Sequence, residues 1–147
     1  MSELRDLYQE VVLDHGRHPH NFRHMDEASH QSVGFNPLCG DKLTLFLRYE
    51  DDVVQDVSFQ GSGCAISTAS ASLLTDAIKG KSRAEVEELI AAFLDMLTAE
   101  SPPDPERLGK LAVLSGVRDF PVRVKCATLS WRTLEAALGG TDEVTTE

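Results

Sequence analysis

The chain has 147 residues, 41% of them hydrophobic, and a formal net charge of -10 at pH 7. That length suffices for one proper core and is short for two, so a single domain spanning 1–147 is expected. The acidic balance argues against nucleic acid as the main partner, since phosphate binding runs through Lys and Arg.

The start, Met1-Ser2-Glu3-Leu4-Arg5-Asp6, carries neither a signal peptide's basic-then-apolar pattern nor a transit peptide's basic character. No apolar run nears the roughly 20 residues of a membrane span. A cytoplasmic protein with no membrane partner is therefore expected. Leu4, Leu7, Tyr8, Val11 and Val12 recur at helical spacing and predict a first helix ending near Asp14-His15-Gly16. The loop that follows, with His30, holds all five histidines of the chain. No pair of them is followed by a second ligand cluster of the zinc-finger type, so the loop reads as solvated and hydrogen-bonded.

From about Gln31 the pattern becomes short and strand-like. A strand near Ser32 to Phe35 is expected first. Leu43, Leu45, Leu47 and Tyr49 alternate with Thr44, Phe46 and Arg48, the period-two pattern of a strand. Glu50-Asp51-Asp52 supplies a polar turn, and Val53, Val57 and Phe59 occupy one face of the returning strand, which completes a hairpin. The remainder is helical. One stripe is Ile66, Ala69, Ser70, Leu73, Ala77 and Ile78, ended by Gly80. A second is Val86, Leu89, Ile90, Phe93, Leu94 and Leu97, with Ser82 and Glu85 spaced as a capping box. Ser101-Pro102-Pro103-Asp104-Pro105 breaks any helix. Leu108, Leu111, Ala112 and Ser115 suggest a short helix, and Pro121 starts a last one ending at Gly139-Gly140. Residues 141–147 read as a frayed tail. The fold class expected is α+β, a three-stranded antiparallel sheet with helices packed on it.

Three cysteines without a secretory signal leave structural burial, metal ligation or reactive thiol chemistry as their roles. Each falls near the end of an element, where sites are commonly built. Cys39-Gly40-Asp41 places two metal-type donors at i and i+2. On an extended strand these stand about 7 Å apart, too far for one ion with bonds of about 2.0 to 2.3 Å, and Gly40 permits the turn that closes the gap. A plain Asx turn would explain the same tripeptide. Cys64 follows Gly61-Ser62-Gly63 at a helix start, with Ser67 and Thr68 nearby; the helix end favours thiolate there. Cys126 lies in the first turns of the last helix, and Arg123 and Lys125 are expected to lower its pKa. These two with Arg118 and Arg132 form a basic region, which also reads as an ordinary solvated helix face. Cys39, Asp41, Cys64 and Cys126 together would give Zn²⁺ four ligands of the usual types. Their spacings of 25 and 62 residues match no recognisable finger.

The chain resembles the SufU/IscU family of iron-sulfur cluster assembly proteins, related to the amino-terminal part of NifU. The resemblance rests on Leu7-Tyr8, Asp14-His15, Pro19-His20-Asn21-Phe22, Asn36-Pro37-Leu38-Cys39-Gly40-Asp41, Gly61-Ser62-Gly63-Cys64-Ala65-Ile66-Ser67, Val124-Lys125-Cys126-Ala127-Thr128-Leu129 and Trp131. It implies a SufE/NifU-like α+β domain with Cys39, Asp41, Cys64 and Cys126 as the site. Lys125 stands where the IscU branch has His, Phe120-Pro121-Val122-Arg123-Val124 replaces that branch's chaperone-recognition segment, and 95–111 resembles the insertion typical of SufU. The SufU branch implies bound Zn²⁺ and a sulfurtransferase-like acceptor, with Cys39 taking persulfide sulfur from a PLP-dependent, SufS-like cysteine desulfurase and passing it to downstream cluster assembly machinery. The IscU branch implies a scaffold carrying a [2Fe-2S] cluster on the same residues. A structural zinc protein is a third reading, against which the loop position of Cys39-Gly40-Asp41 speaks.

Overall fold

The computed structural model describes residues 2–98 and 105–145; the side chains of 2–8, 105 and 107 lie outside that description. Helix α1 (Ser2–Arg17) is followed by strands β1 (His30–Asn36), β2 (Asp41–Glu50) and β3 (Val53–Ser62), then by α2 (Ala65–Ile78) and α3 (Arg83–Thr98). The short α4 (Pro105–Leu108) leads into a 3-10 helix (Gly109–Val117), and α5 (Pro121–Leu138) precedes β4 (Glu143–Thr145). The expected class holds, with one difference. The sheet has four strands in the order β3-β2-β1-β4, because residues expected to fray pair in parallel with β1 through Val33, Gly34 and Phe35. Three residues without alternating apolar character carry no period to read.

The β2–β3 hairpin closes through Asp51 and Asp52, both at positive φ (53° and 64°), the backbone of a two-residue turn whose twist suits a hairpin. A bulge at Arg48/Tyr49 shifts the register, so Val54 joins Val57 and Phe59 in the core while the expected Val53 is only half buried. Leu43, Leu45 and Leu47 are buried on the helix-covered face as expected. Phe46, on the opposite face, is also buried, with His24 set edge-on to its ring at 4.9 Å. The loop after α1 therefore crosses the second face of the sheet. Arg23 fixes it there with a two-pronged hydrogen bond to Asp56, both contacts 2.8 Å.

Helix α5 lies directly on β1. A side chain at Gly34 would put its Cβ 2.1 Å from Thr133 Oγ1 and 3.1 Å from Leu129, so only glycine allows this approach. Trp131, fully buried, stacks on Phe93 of α3 at 4.4 Å, and its indole N–H donates to Ser70 of α2 at 3.2 Å. Ser70 in turn donates to the carbonyl of Ala127 at 2.6 Å. One hydroxyl thus ties α2 to α5 next to Cys126. The capping box is present: Glu85 accepts from Ser82 N–H at 3.0 Å, and Ser82 accepts from Glu85 N–H at 3.3 Å. Of the first helix's expected stripe, Val12 is buried and Val11 half buried, and Leu4, Leu7 and Tyr8 fall outside the described side chains. The Pro-rich break at 101–104 also lies outside the described residues.

Candidate metal centre

The three cysteines and Asp41 come from three places. The β1–β2 loop carries Cys39 and delivers Asp41 at the first residue of β2, the β3–α2 junction carries Cys64, and α5 carries Cys126. Gly40 has φ +71°, the left-handed turn that the i, i+2 pair required. The turn brings Cys39 and Asp41 into one group with Cys126, whose donor atoms all lie within 4.8 Å of one another. The Cys39 and Cys126 sulfurs are 3.2 Å apart. Cys64 Sγ stands 4.0 Å from Asp41 Oδ2, at the edge of this group and outside it.

Asp41 is 2% exposed and hydrogen-bonded on both oxygens. Cys64 N–H donates to Oδ1 at 2.9 Å, and Asn36 Nδ2 donates to Oδ2 at 3.1 Å. The same Asn36 amide reaches Cys126 Sγ at 3.6 Å. Gly63 makes room for the carboxylate, because a Cβ there would sit 2.7 Å from Asp41 Oδ1. Cys64 is the N-cap of α2, and its sulfur accepts from Ser67 N–H at 3.4 Å. The expected helix-end setting for this sulfur is present.

Cys126 differs from expectation. It is the sixth residue of α5, beyond the first turn and its unpaired N–H groups, and is 3% exposed. Burial pushes its thiol well above the ordinary range, and Cys39, Cys64 and Asp41 around it add to the rise. The rise prevails over the lowering expected from Arg123 and Lys125. Arg123 lies over the Phe120 ring at 4.7 Å and Arg132 pairs with Glu135 at 3.1 Å, so both serve the surface of the helix.

This donor set suits a tetrahedral ion. With bonds of about 2.0 to 2.3 Å, neighbouring ligand atoms lie about 3.3 to 3.8 Å apart. The observed 3.2 Å and 4.0 Å fall on either side of that interval, close enough for small side-chain rotations to meet it. Exposure is graded across the three sulfurs: Cys39 is exposed, Cys64 intermediate and Cys126 buried. Asn36 was missed in the sequence because its link to Cys126 spans 90 residues. The only local signal was its place in Asn36-Pro37, which reads equally well as turn chemistry.

Residues 7–137 match the family model for the NifU-like N-terminal domain. The chain is 40% identical over 138 residues to the iron-sulfur cluster assembly scaffold protein IscU of Streptococcus pyogenes, covering 94% of this chain and 86% of that protein. It is also 40% identical over 134 residues to the zinc-dependent sulfurtransferase SufU of Bacillus subtilis, covering 91% and 90%. Among solved structures, a candidate iron-sulfur cluster assembly scaffold for the SUF system from Fervidobacterium islandicum superposes with a TM-score of 0.84 at 34% identity, covering 90% of this chain and 96% of that one.

Proposed function

The chain belongs to the NifU-like N-terminal domain family, and on that premise we propose that it serves iron-sulfur cluster biogenesis as a zinc-dependent acceptor of persulfide sulfur from a cysteine desulfurase. The observation that carries this reading is the meeting of Cys39 and Cys126 at 3.2 Å beside a buried Asp41, with Cys39 alone of the three sulfurs exposed. Cys39, Asp41, Cys64 and Cys126 are the ligands we assign to Zn²⁺, whose charge would keep the thiols deprotonated near neutral pH.

Cys39 is the acceptor in this account. Its thiolate attacks the outer sulfur of the desulfurase persulfide. A new bond from Cys39 Sγ to that sulfur forms as the old S–S bond breaks, and the desulfurase cysteine departs as thiolate, so no external oxidant or reductant is needed. The Gly40 turn lets Cys39 move while hydrogen bonds from Asn36 and Cys64 hold Asp41 in place. Exposed Leu38, next to Cys39, and exposed Phe120 and Val122, at the start of the helix bearing Cys126, supply apolar surface for a protein partner. The sulfur then passes to downstream cluster assembly machinery.

The test is a desulfurase assay with and without the protein. Wild type stimulates turnover of cysteine and Cys39→Ala does not; stimulation that survives in Cys39→Ala overturns the acceptor role. Cys126→Ala loses zinc, and full zinc occupancy in that variant would remove Cys126 from the ligand set. The second reading, a scaffold on which a [2Fe-2S] cluster is built and transferred, is favoured by the equally similar IscU relative. Lys125 beside Cys126 favours sulfur transfer, since its ammonium is a poor ligand where an imidazole would be a good one. If anaerobically purified wild type carries iron and sulfide in place of zinc, the scaffold reading prevails.

A further inference from the structure

We propose that His15, His20 and Asp76 form a second divalent-cation site, built of imidazole and carboxylate donors, that pins the loop after α1 to helix α2. One ring nitrogen from each histidine and one oxygen of Asp76 all lie within 4.8 Å of one another. The two imidazole rings are 4.4 Å apart. The site is separate from the thiol centre: Asp76 is twelve residues along the chain from Cys64, roughly 18 Å at the helical rise.

The supporting contacts are those of a metal site. His15 is 3% exposed and its Nδ1 lies 2.7 Å from Ser72 Oγ, which fixes the ring and leaves Nε2 as the nitrogen not engaged by Ser72. Ser72 Oγ also accepts from the backbone N–H of His20 at 2.7 Å, so one hydroxyl contacts both histidines. Asn21 holds the other side of the carboxylate, its Nδ2 lying 3.4 Å from Asp76 Oδ1 and 2.9 Å from Thr75 Oγ1. His20 and Asp76 are both nearly half exposed, so an ion reaches them from solvent. Burial and the neighbouring His20 favour the neutral, ligating form of His15; Asp76 and Asp14 oppose this, and Lys110 acts with the burial.

His20 Nδ1 and Asp76 Oδ2 lie 2.5 Å apart, within hydrogen-bond distance. An entering cation would take the place of this hydrogen bond, with the imidazoles and the carboxylate as its donors. Two imidazoles and a carboxylate suit Zn²⁺ or a similar first-row ion, with water completing the shell. The hydrogen-bonded link from His15, His20 and Asn21 to α2 would then be held by the ion as well.

The experiment is Zn²⁺ titration of the metal-depleted, full-length protein near neutral pH, with bound equivalents counted and the histidine ring resonances followed by NMR. His20→Ala and Asp76→Asn are the variants, chosen because both side chains are exposed. Wild type is expected to bind one equivalent more than either variant, or to bind it more than about tenfold tighter, the scale set by loss of a mere supporting contact. The ring resonances of His15 and His20 shift in step with that equivalent. Equal binding by all three proteins, or unmoved histidine resonances at saturation, overturns the site. The outcome stands apart from the thiol centre: if that centre held no zinc, wild type would still bind the one equivalent that His20→Ala loses.

Discussion

Asn36 lies fully buried at the end of β1, and its amide is shared between a carboxylate and a sulfur. Such a group holds two donors at a set separation without itself binding an ion. Asn36→Ala is therefore expected to weaken zinc binding by about 10- to 100-fold, the usual cost of losing a supporting hydrogen bond. Competition with a chelator measures this, and a preserved thermal midpoint in the metal-free protein would show that the loss is local. Unchanged affinity would mean that the amide only fills space. At this scale the Gly40 turn and the helix-end setting of Cys64 were legible in the sequence, because each depends on immediate neighbours. The environment of Cys126 was not. Its Lys and Arg neighbours suggested a lowered pKa, whereas α5 turns the sulfur inward to burial, and that direction depends on which face the helix packs.

Helix α2 and the loop after α1 form the unit that frames both candidate centres. Its first residue follows the Cys64 cap, and Ser72, Thr75 and Asp76 receive the loop. On the other side, Arg23 grips Asp56 of β3 and Lys79 stands 3.4 Å from the same carboxylate. Desolvation pushes the Asp56 carboxyl up, but the Arg23 hydrogen bond, the Val57 N–H and both cations outweigh it and hold the group below its ordinary value. A depressed carboxyl contributes stability that is present above its unfolded pKa and is lost as pH falls through the folded one. Asp56→Asn should thus destabilise the protein by about 1 kcal/mol at neutral pH, with the difference from wild type shrinking in acid below about pH 4. Denaturant unfolding at several pH values checks this, and a difference independent of pH would contradict it. The helices and the hairpin were readable from apolar periods and caps. The loop's partners were not, because Asp56 and Asp76 lie 33 and 56 residues away from Arg23 and His20.

Across the whole molecule, no described helix is long and apolar enough to cross a membrane. The sheet supplies one wall, with β1 and β2 delivering Cys39 and Asp41, and the helical layer supplies Cys64 and Cys126. Ser70 joins the two helices beside the centre, so Ser70→Ala leaves the Trp131 N–H unpaired in the core and is expected to cost about 1 to 3 kcal/mol of stability. Zinc should raise the stability of Ser70→Ala and of wild type alike, since a ligand held only by the folded state stabilises it. The class of the fold was legible from strands grouped before helices, but the fourth strand was hidden in a short acidic segment that owes its conformation to β1. The most direct measurement is peptide mapping by mass spectrometry after incubating the zinc-loaded protein with cysteine and a cysteine desulfurase. One extra sulfur atom on Cys39, absent in Cys39→Ala and accompanied by faster turnover of cysteine, is the predicted result; sulfur found only on Cys64 or Cys126, or turnover stimulated equally by Cys39→Ala, would contradict it.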